Sequence, residues 1–470
     1  MIPSLFRRLG AALLLAVVLL VVKSQVALAA AGGGSSGFGG GGGFGGGGGF
    51  GGGGRSFGGG GFGGGGFGGG RTGSGRGTLI LLGGVVAIVV IVLIVAFLRR
   101  EMLAAAYHRH RRKRARRVQR AAAVAADDDE MFAPDAVDAA ARQMFMDAQR
   151  AWDDGDEQRL SELLGPDLLV EWRRRLDDFA RRGWRNRVEV LKIDSVEYLG
   201  LTNREGDRDD RVTVRVCATL RDYVVARDGQ VLRRTNSLSD VTSLNEFWTL
   251  AKRADGRGWI IASIESDAEG RHVLDSEIVA APDYDDRRLS DASMLEVAAL
   301  DRLPEGVSSA EVASLDYAGD GRAAALDLSL VDGRWAPDVL EISVRRAVSA
   351  WAEAVDGADA DLLDVATPTA AQELLHPGDT SGRTRLVIRG PVVRHLRIAA
   401  LDAAAQPPTM TVEVEVSGRR YIEDRDTAAV LSGSKSRAIT SHERWTLALA
   451  GPDDRPWQVV DAGAGSVPTA

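Results

Sequence analysis

Two tyrosines and two tryptophans stand at nearly one spacing: Tyr223 and Tyr421 are 198 residues apart, Trp248 and Trp445 are 197 apart. A tyrosine inside a protein pocket can hold or pass a proton, and an indole can wall that pocket. These four residues are therefore the ligand-pocket candidates. Their recurrence at one offset also suits a core role that two copies of a domain would share. No other grouping has the spacing of a reaction centre. There is no H-E-x-x-H, no phosphate loop and no Gly-x-Ser-x-Gly. Gly433-Ser434-Lys435-Ser436 lacks the upstream glycine of a phosphate loop. The six histidines lie without ligand spacing, His108 and His110 in a basic run and His272, His376, His395 and His442 far apart. The expectation is no catalytic residue, no metal and no cofactor. The one cysteine, Cys217, excludes an internal disulfide and is expected as a buried, apolar thiol.

The elements that must position these residues recur at the same offset. Trp152 and Trp351 are 199 apart, and Trp259 and Trp457 are 198 apart. Ala151-Trp152 matches Ala350-Trp351, and Glu246-Phe247-Trp248-Thr249-Leu250 matches Glu443-Arg444-Trp445-Thr446-Leu447. Such agreement reads as an internal duplication. In the first copy, Val137, Ala141, Met144, Phe145, Ala148 and Trp152 fall at helical spacing after the cap candidate Asp135. Two shorter helices follow, the last ending at Gly183. The period then changes to two over residues 188–201, 212–225, 246–252 and 259–264, which predicts strands. The second copy repeats the order, with a leading helix through Val344, Ala347, Val348 and Trp351 and a break at Asp356-Gly357. Its strands are expected over 386–399, 411–416, 443–448 and 457–460. Helices first and a long meander after predict an α+β class, with helices packed on a curved antiparallel sheet.

An Ala-Trp helix end, an Asp/Gly break, short helices, then Glu-x-Trp-Thr-Leu and a Trp-opened last strand resemble the Tim44-like domain. The residues carrying the resemblance are Ala151-Trp152, Gly155-Asp156, Glu246, Trp248, Thr249 and Trp259 in the first copy. Ala350-Trp351, Glu443, Trp445, Thr446 and Trp457 carry a weaker match in the second. The resemblance implies tandem cone-shaped NTF2-like domains and membrane-proximal docking of proteins. It also raises two alternatives, a small ligand or lipid held in the cone, and an isomerase- or dehydratase-type enzyme. The mitochondrial family member's motor-binding helical region has no counterpart here, so that role does not follow.

The N-terminal part predicts a membrane protein. Arg7-Arg8, an apolar run over 9–22 and Ala27-Leu28-Ala29 describe a signal peptide, residues 1–30; an uncleaved first helix is the alternative. Residues 31–78 are nearly all glycine, punctuated by Phe38, Phe44, Phe50, Phe57, Phe62 and Phe67, and are expected as a disordered tail. The uncharged run 79–98 has the length of a transmembrane helix, about 20 residues. Arg99-Arg100 and the cluster after it place residues 99 onward in the cytoplasm and the Gly-rich segment outside, in a single-pass chain of the cell membrane. Arg109, Arg111, Arg112, Lys113, Arg114, Arg116 and Arg117 are candidates for contact with anionic lipid headgroups. Laid on a helix, they point in every direction, so the segment does not read as amphipathic. Residues 99–134 are expected as this basic segment followed by an acidic, solvated linker. The formal net charge is -7 although this stretch is basic, so the folded remainder is acidic and nucleic-acid binding is not expected. The expected domains are 135–266 and 341–464, joined by a linker with local structure over 267–340. The expected partners are the membrane and an unidentified protein.

Overall fold

A computed structural model describes residues 32–33, 35–36, 38, 75–234, 239–302, 320–355 and 359–463; the side chains of 75–90 and 286 lie outside the described ones. The signal peptide expected over 1–30 and the break at Asp356-Gly357 fall outside it. The chain divides into two compact units, residues 40–113 and the remainder.

Helix α1, Gly75–Asp128, is continuous and contains the expected span 79–98. Among the described residues no helix is long and apolar enough to cross a membrane. From residue 114 on, α1 belongs to the larger unit, and there it is amphipathic, contrary to the expectation. Val118, Ala122 and Ala125 recur at i, i+4 and i+7 and are fully buried in the first core. Arg112, Lys113, Arg116, Arg117 and Arg120 are exposed. Even spacing of arginines hides this, because the buried stripe is mostly alanine. The acidic stretch is not a solvated linker either. Asp129 caps a 3-10 turn, Glu130–Phe132, and its carboxylate lies 2.5 Å from Lys252 Nζ. Phe132 packs edge-on against Trp259 at 5.6 Å. The first domain therefore starts at α1 rather than at residue 135.

Three helices follow, α2 Pro134–Asp154, α3 Glu157–Leu163 and α4 Pro166–Arg182. Proline starts α2 and α4, where its missing N–H is no loss. Gly155 and Gly183, both at φ 68°, end them in the left-handed conformation. The period-two residues then form β1 Trp184–Thr202, β2 Arg211–Ala226, β3 Val231–Leu232, β4 Val241–Lys252 and β5 Trp259–Ser266. The antiparallel order is β1-β2-β4-β5, with β3 on β2. Three register shifts between β1 and β2 bend the sheet around the helices. Trp152 fills the hollow, edge-on to Trp172 at 5.1 Å, and donates its indole N–H to Asn186 Oδ1 at 2.8 Å.

The described residues of 267–340 pack onto the two domains and carry more than the local structure expected of a linker. A 3-10 turn, Gly270–Leu274, lies against the first sheet, with Gly270 so close to Phe247 that a Cβ would overlap the ring. Helices α5 Asp286–Leu300 and α6 Gly321–Ser329 then contribute Leu295, Ala298, Ala325 and Leu328 to the second core. Trp335 stands edge-on to Trp457 at 4.9 Å. The stretch 322–335, helix and 3-10 turn, is thus the lead-in to the second domain. Helices α7 Pro337–Glu353, α8 Asp359–Leu363 and α9 Pro368–Leu375 precede β6 Thr384–Asp402, β7 Thr409–Asp424, β8 Val430–Leu449 and β9 Trp457–Asp461. The order β6-β7-β8-β9 repeats that of the first sheet, and β6 and β7 also slip register three times.

The start of the expected disordered tail is ordered. Gly32, Gly33, Ser35, Ser36 and Phe38 lie against the two cones, and Phe38 is buried. Residues 39–74 lie outside the described ones.

Candidate functional site

The charged residues of the two cones meet in one buried seam. Helix α4 presents Glu171, Arg175 and Asp178 on a single face, at i, i+4 and i+7. Strand β6 presents Arg385, Val387 and Arg389 alternately on one face, opposite Leu386 and Ile388, which belong to the second core. Arg385 Nη1 donates to Glu171 Oε1 at 3.1 Å, and Arg425 reaches the same oxygen at 2.6 Å. Arg175 Nη2 donates to Glu423 Oε1 at 2.9 Å, and Lys435 Nζ to its other oxygen at 2.6 Å. The Tyr421 hydroxyl donates to Glu269 Oε1 at 2.5 Å, whose second oxygen accepts from the Ser266 hydroxyl at 2.7 Å. His272 Nε2 sits 2.9 Å from Glu265 Oε2.

These pairings set the acidities. Burial raises Glu265 and Glu423, but His272 and Arg389 around the first, and Lys435 and Arg175 around the second, hold both at about 2. Glu246 is the exception. Burial lifts its carboxyl to about 7, against a hydrogen bond from the Trp248 indole at 3.0 Å, and Glu269 nearby adds to the rise. Burial, with Glu269 next, also pushes the Tyr421 phenol well up, so it stays protonated as a donor. The space left inside is a cavity of about 90 Å³ among Glu246, Glu269, Arg234 and Tyr421. That is far below the roughly 300–1,000 Å³ of ordinary ligand sites. Within the seam, Glu246 is the carboxyl that burial brings near neutrality, and the Ser266 hydroxyl on the same cavity is committed to Glu269. Among the described residues no cluster could hold a metal ion.

The four pocket candidates separate. Trp248 and Trp445 are buried in the two cores, against Phe145 at 5.1 Å and Trp351 at 6.0 Å, and wall no cavity. Tyr421 lies in the seam. Tyr223 is half-buried elsewhere, in a groove of about 330 Å³ between α2 and β1 with Gln149, Asp153 and Arg187. Equal sequence positions thus have unequal surroundings, because the second cone turns its Tyr421 end toward the first. Among the lipid candidates, Arg109, Arg112, Lys113, Arg116 and Arg117 are exposed, and Arg111 and Arg114 are buried. Arg114 is withdrawn from any headgroup: it donates to the Leu199 carbonyl at 2.7 Å and the Ser276 carbonyl at 2.6 Å. Burial lowers its pKa to about 10. Cys217 is half-buried rather than buried, with Arg215 Nη1 2.6 Å from its sulfur.

Residues 118–266 match the Tim44-like domain. That span begins at Val118, where α1 first enters the core, and ends with β5. Comparison with curated proteins found no match. Similar solved structures include the intermembrane-space region of the chloroplast protein ARC6, at 17% identity and a TM-score of 0.22 over 27% of this chain and 95% of that one. An NTF2-like protein involved in plasmid conjugation is similar at 9% identity and a TM-score of 0.17, over 68% of this chain and 96% of that one.

Proposed function

We propose that the chain is a membrane-anchored docking scaffold whose two cones act as one platform. Residues 79–98 are the anchor, the cones lie in the cytoplasm, and exposed Arg112, Lys113, Arg116 and Arg117 lean on anionic headgroups. The observation that carries this reading is the seam. Its cations and carboxylates neutralise one another and hold the cones together. The Tim44-like domain, whose family docks proteins at membranes, points the same way. The groove at Tyr223 is the one observation that favours ligand binding instead, and an enzyme would have to work through Glu246.

Two measurements test the reading. A reporter active only outside the cytoplasm, fused to the C-terminus, is expected to be silent; activity there overturns the orientation. Chemical crosslinking in native membranes, followed by purification through the full chain, is expected to give a discrete adduct with another protein. Trp248→Ala, which opens the first core, should remove that adduct. Recovery of lipid and self-adducts alone would discard the docking role.

A further inference from the structure

The residues at the start of the glycine-rich tail are held as a bound peptide is held. The Gly32 carbonyl accepts from Arg175, and the Ser35 hydroxyl donates to Asp178, both on α4 of the first cone. The Ser36 N–H donates to the Thr427 carbonyl of the second cone at 3.1 Å. Phe38 is the anchor: its ring stands edge-on to Phe179 at 6.3 Å and lies under the Arg234 guanidinium at 4.5 Å. Backbone contacts give attachment and one aromatic pocket gives register, and the Phe38 N–H closes a turn on the Ser35 carbonyl at 3.2 Å.

The cleft also selects glycine. Gly32 has φ 74°, and a Cβ there would come 2.3 Å from the Trp172 indole nitrogen. Any other residue at this point meets both a strained backbone and the ring. The Ser35 hydroxyl suits Asp178, Ser36 offers Thr427 only its backbone N–H, and the phenylalanine suits the Phe179–Arg234 pocket. We propose that the seam between the cones is a binding cleft for a short, turn-forming segment of glycine and serine closed by a phenylalanine, and that the chain's own Gly32, Gly33, Ser35, Ser36 and Phe38 are its occupant.

This inference rests on the anchoring reading for its consequence. A segment before residue 79 and cones after residue 98 lie on opposite sides of any membrane that 79–98 crosses. The seated state therefore belongs to the chain before insertion, and insertion empties the cleft. The tail is no obstacle to seating off the membrane. About 40 residues separate Phe38 from the anchor, a contour of up to roughly 130 Å. That length can pass around a detergent micelle but not through a bilayer.

The test uses the full chain with Cys217→Ser, Ser36→Cys and Thr427→Cys, whose backbones touch. In micelles an internal disulfide is expected after mild oxidation. Adding Gly32→Val should lower its yield by roughly tenfold, since the left-handed conformation and the clash both oppose seating. Circular dichroism should show the Gly32→Val cones folded, because Gly32 is outside both cores. No disulfide in micelles, an undiminished one with Gly32→Val, or one formed only between two copies overturns the proposed occupant. In sealed liposomes with the cones outward, the disulfide should be absent. Its formation there would leave the cleft standing and overturn the exclusion by insertion.

Discussion

At the scale of single residues, Glu246 is where chemistry and stability meet. Its carboxyl rises from an ordinary 4.5 to about 7, so the folded chain keeps a proton that the unfolded chain releases. The stability tied to this group is complete below pH 4.5, declines as pH rises to about 7 and is level above. The shift is worth roughly 3 kcal/mol over that window. Glu265 and Glu423, held at about 2, act oppositely: their contribution is present above 4.5 and is lost as pH falls toward 2. Glu246→Gln keeps a hydrogen-bond acceptor for Trp248 without the ionisation. Its stability relative to wild type is expected to grow by about 3 kcal/mol between pH 4 and 8, read by thermal melting across that range. A constant difference would mean that Glu246 titrates alike in the folded and unfolded chains. None of this was visible in the sequence. Glu246 was legible only as part of a repeated Glu-x-Trp-Thr-Leu motif; what makes it unusual is its complete burial, to which the neighbouring Glu269, in a stretch that reads as linker, adds.

At the scale of elements, periodicity located nearly every helix and strand of both cones, because apolar residues dominate their buried faces. It failed where the buried stripe is not apolar enough to stand out. Helix α1 buries Val118 and two alanines amid arginines, and β6 turns Arg385 and Arg389 into the seam in the alternation of a solvated face. A buried, paired arginine and an exposed one look the same in a chain with 58 basic and 65 acidic residues. Helix α1 makes the distinction measurable. Reversing exposed Arg112, Lys113, Arg116 and Arg117 to glutamate should weaken sedimentation of residues 99–470 with anionic vesicles at low salt, and high salt should erase the difference. Arg114→Ala should leave sedimentation unchanged. It should instead lower folding stability by about 2–3 kcal/mol, since its charge-assisted bonds to Leu199 and Ser276 are lost. Equal sedimentation of wild type and the reversed variant at low salt would reduce the cluster to a topology signal.

At the scale of the whole molecule, the question is whether two cones behave as two domains or one. Repetition of sequence suggests two, each with its own core, and the cores are indeed separate. The seam argues for one. Glu171 of the first cone is buried and shared by Arg385 and Arg425 of the second, so it neutralises charge that neither cone could leave buried alone. A buried ion pair adds little net stability over an apolar contact, but removing one partner strands the other and costs about 3–5 kcal/mol. Glu171→Ala therefore removes the carboxylate that Arg385 and Arg425 share across the seam, leaving Arg385 with Asp359 and Arg425 with the Gly382 carbonyl of its own cone, and both hydrophobic cores intact. Calorimetry of the wild-type chain is expected to show one cooperative transition, with calorimetric and van't Hoff enthalpies equal. Glu171→Ala should split it into two, the separation reflecting the lost coupling. Two transitions already present in the wild type would mean the seam is a contact between independent domains, and a scaffold reading based on a single platform would fall with it.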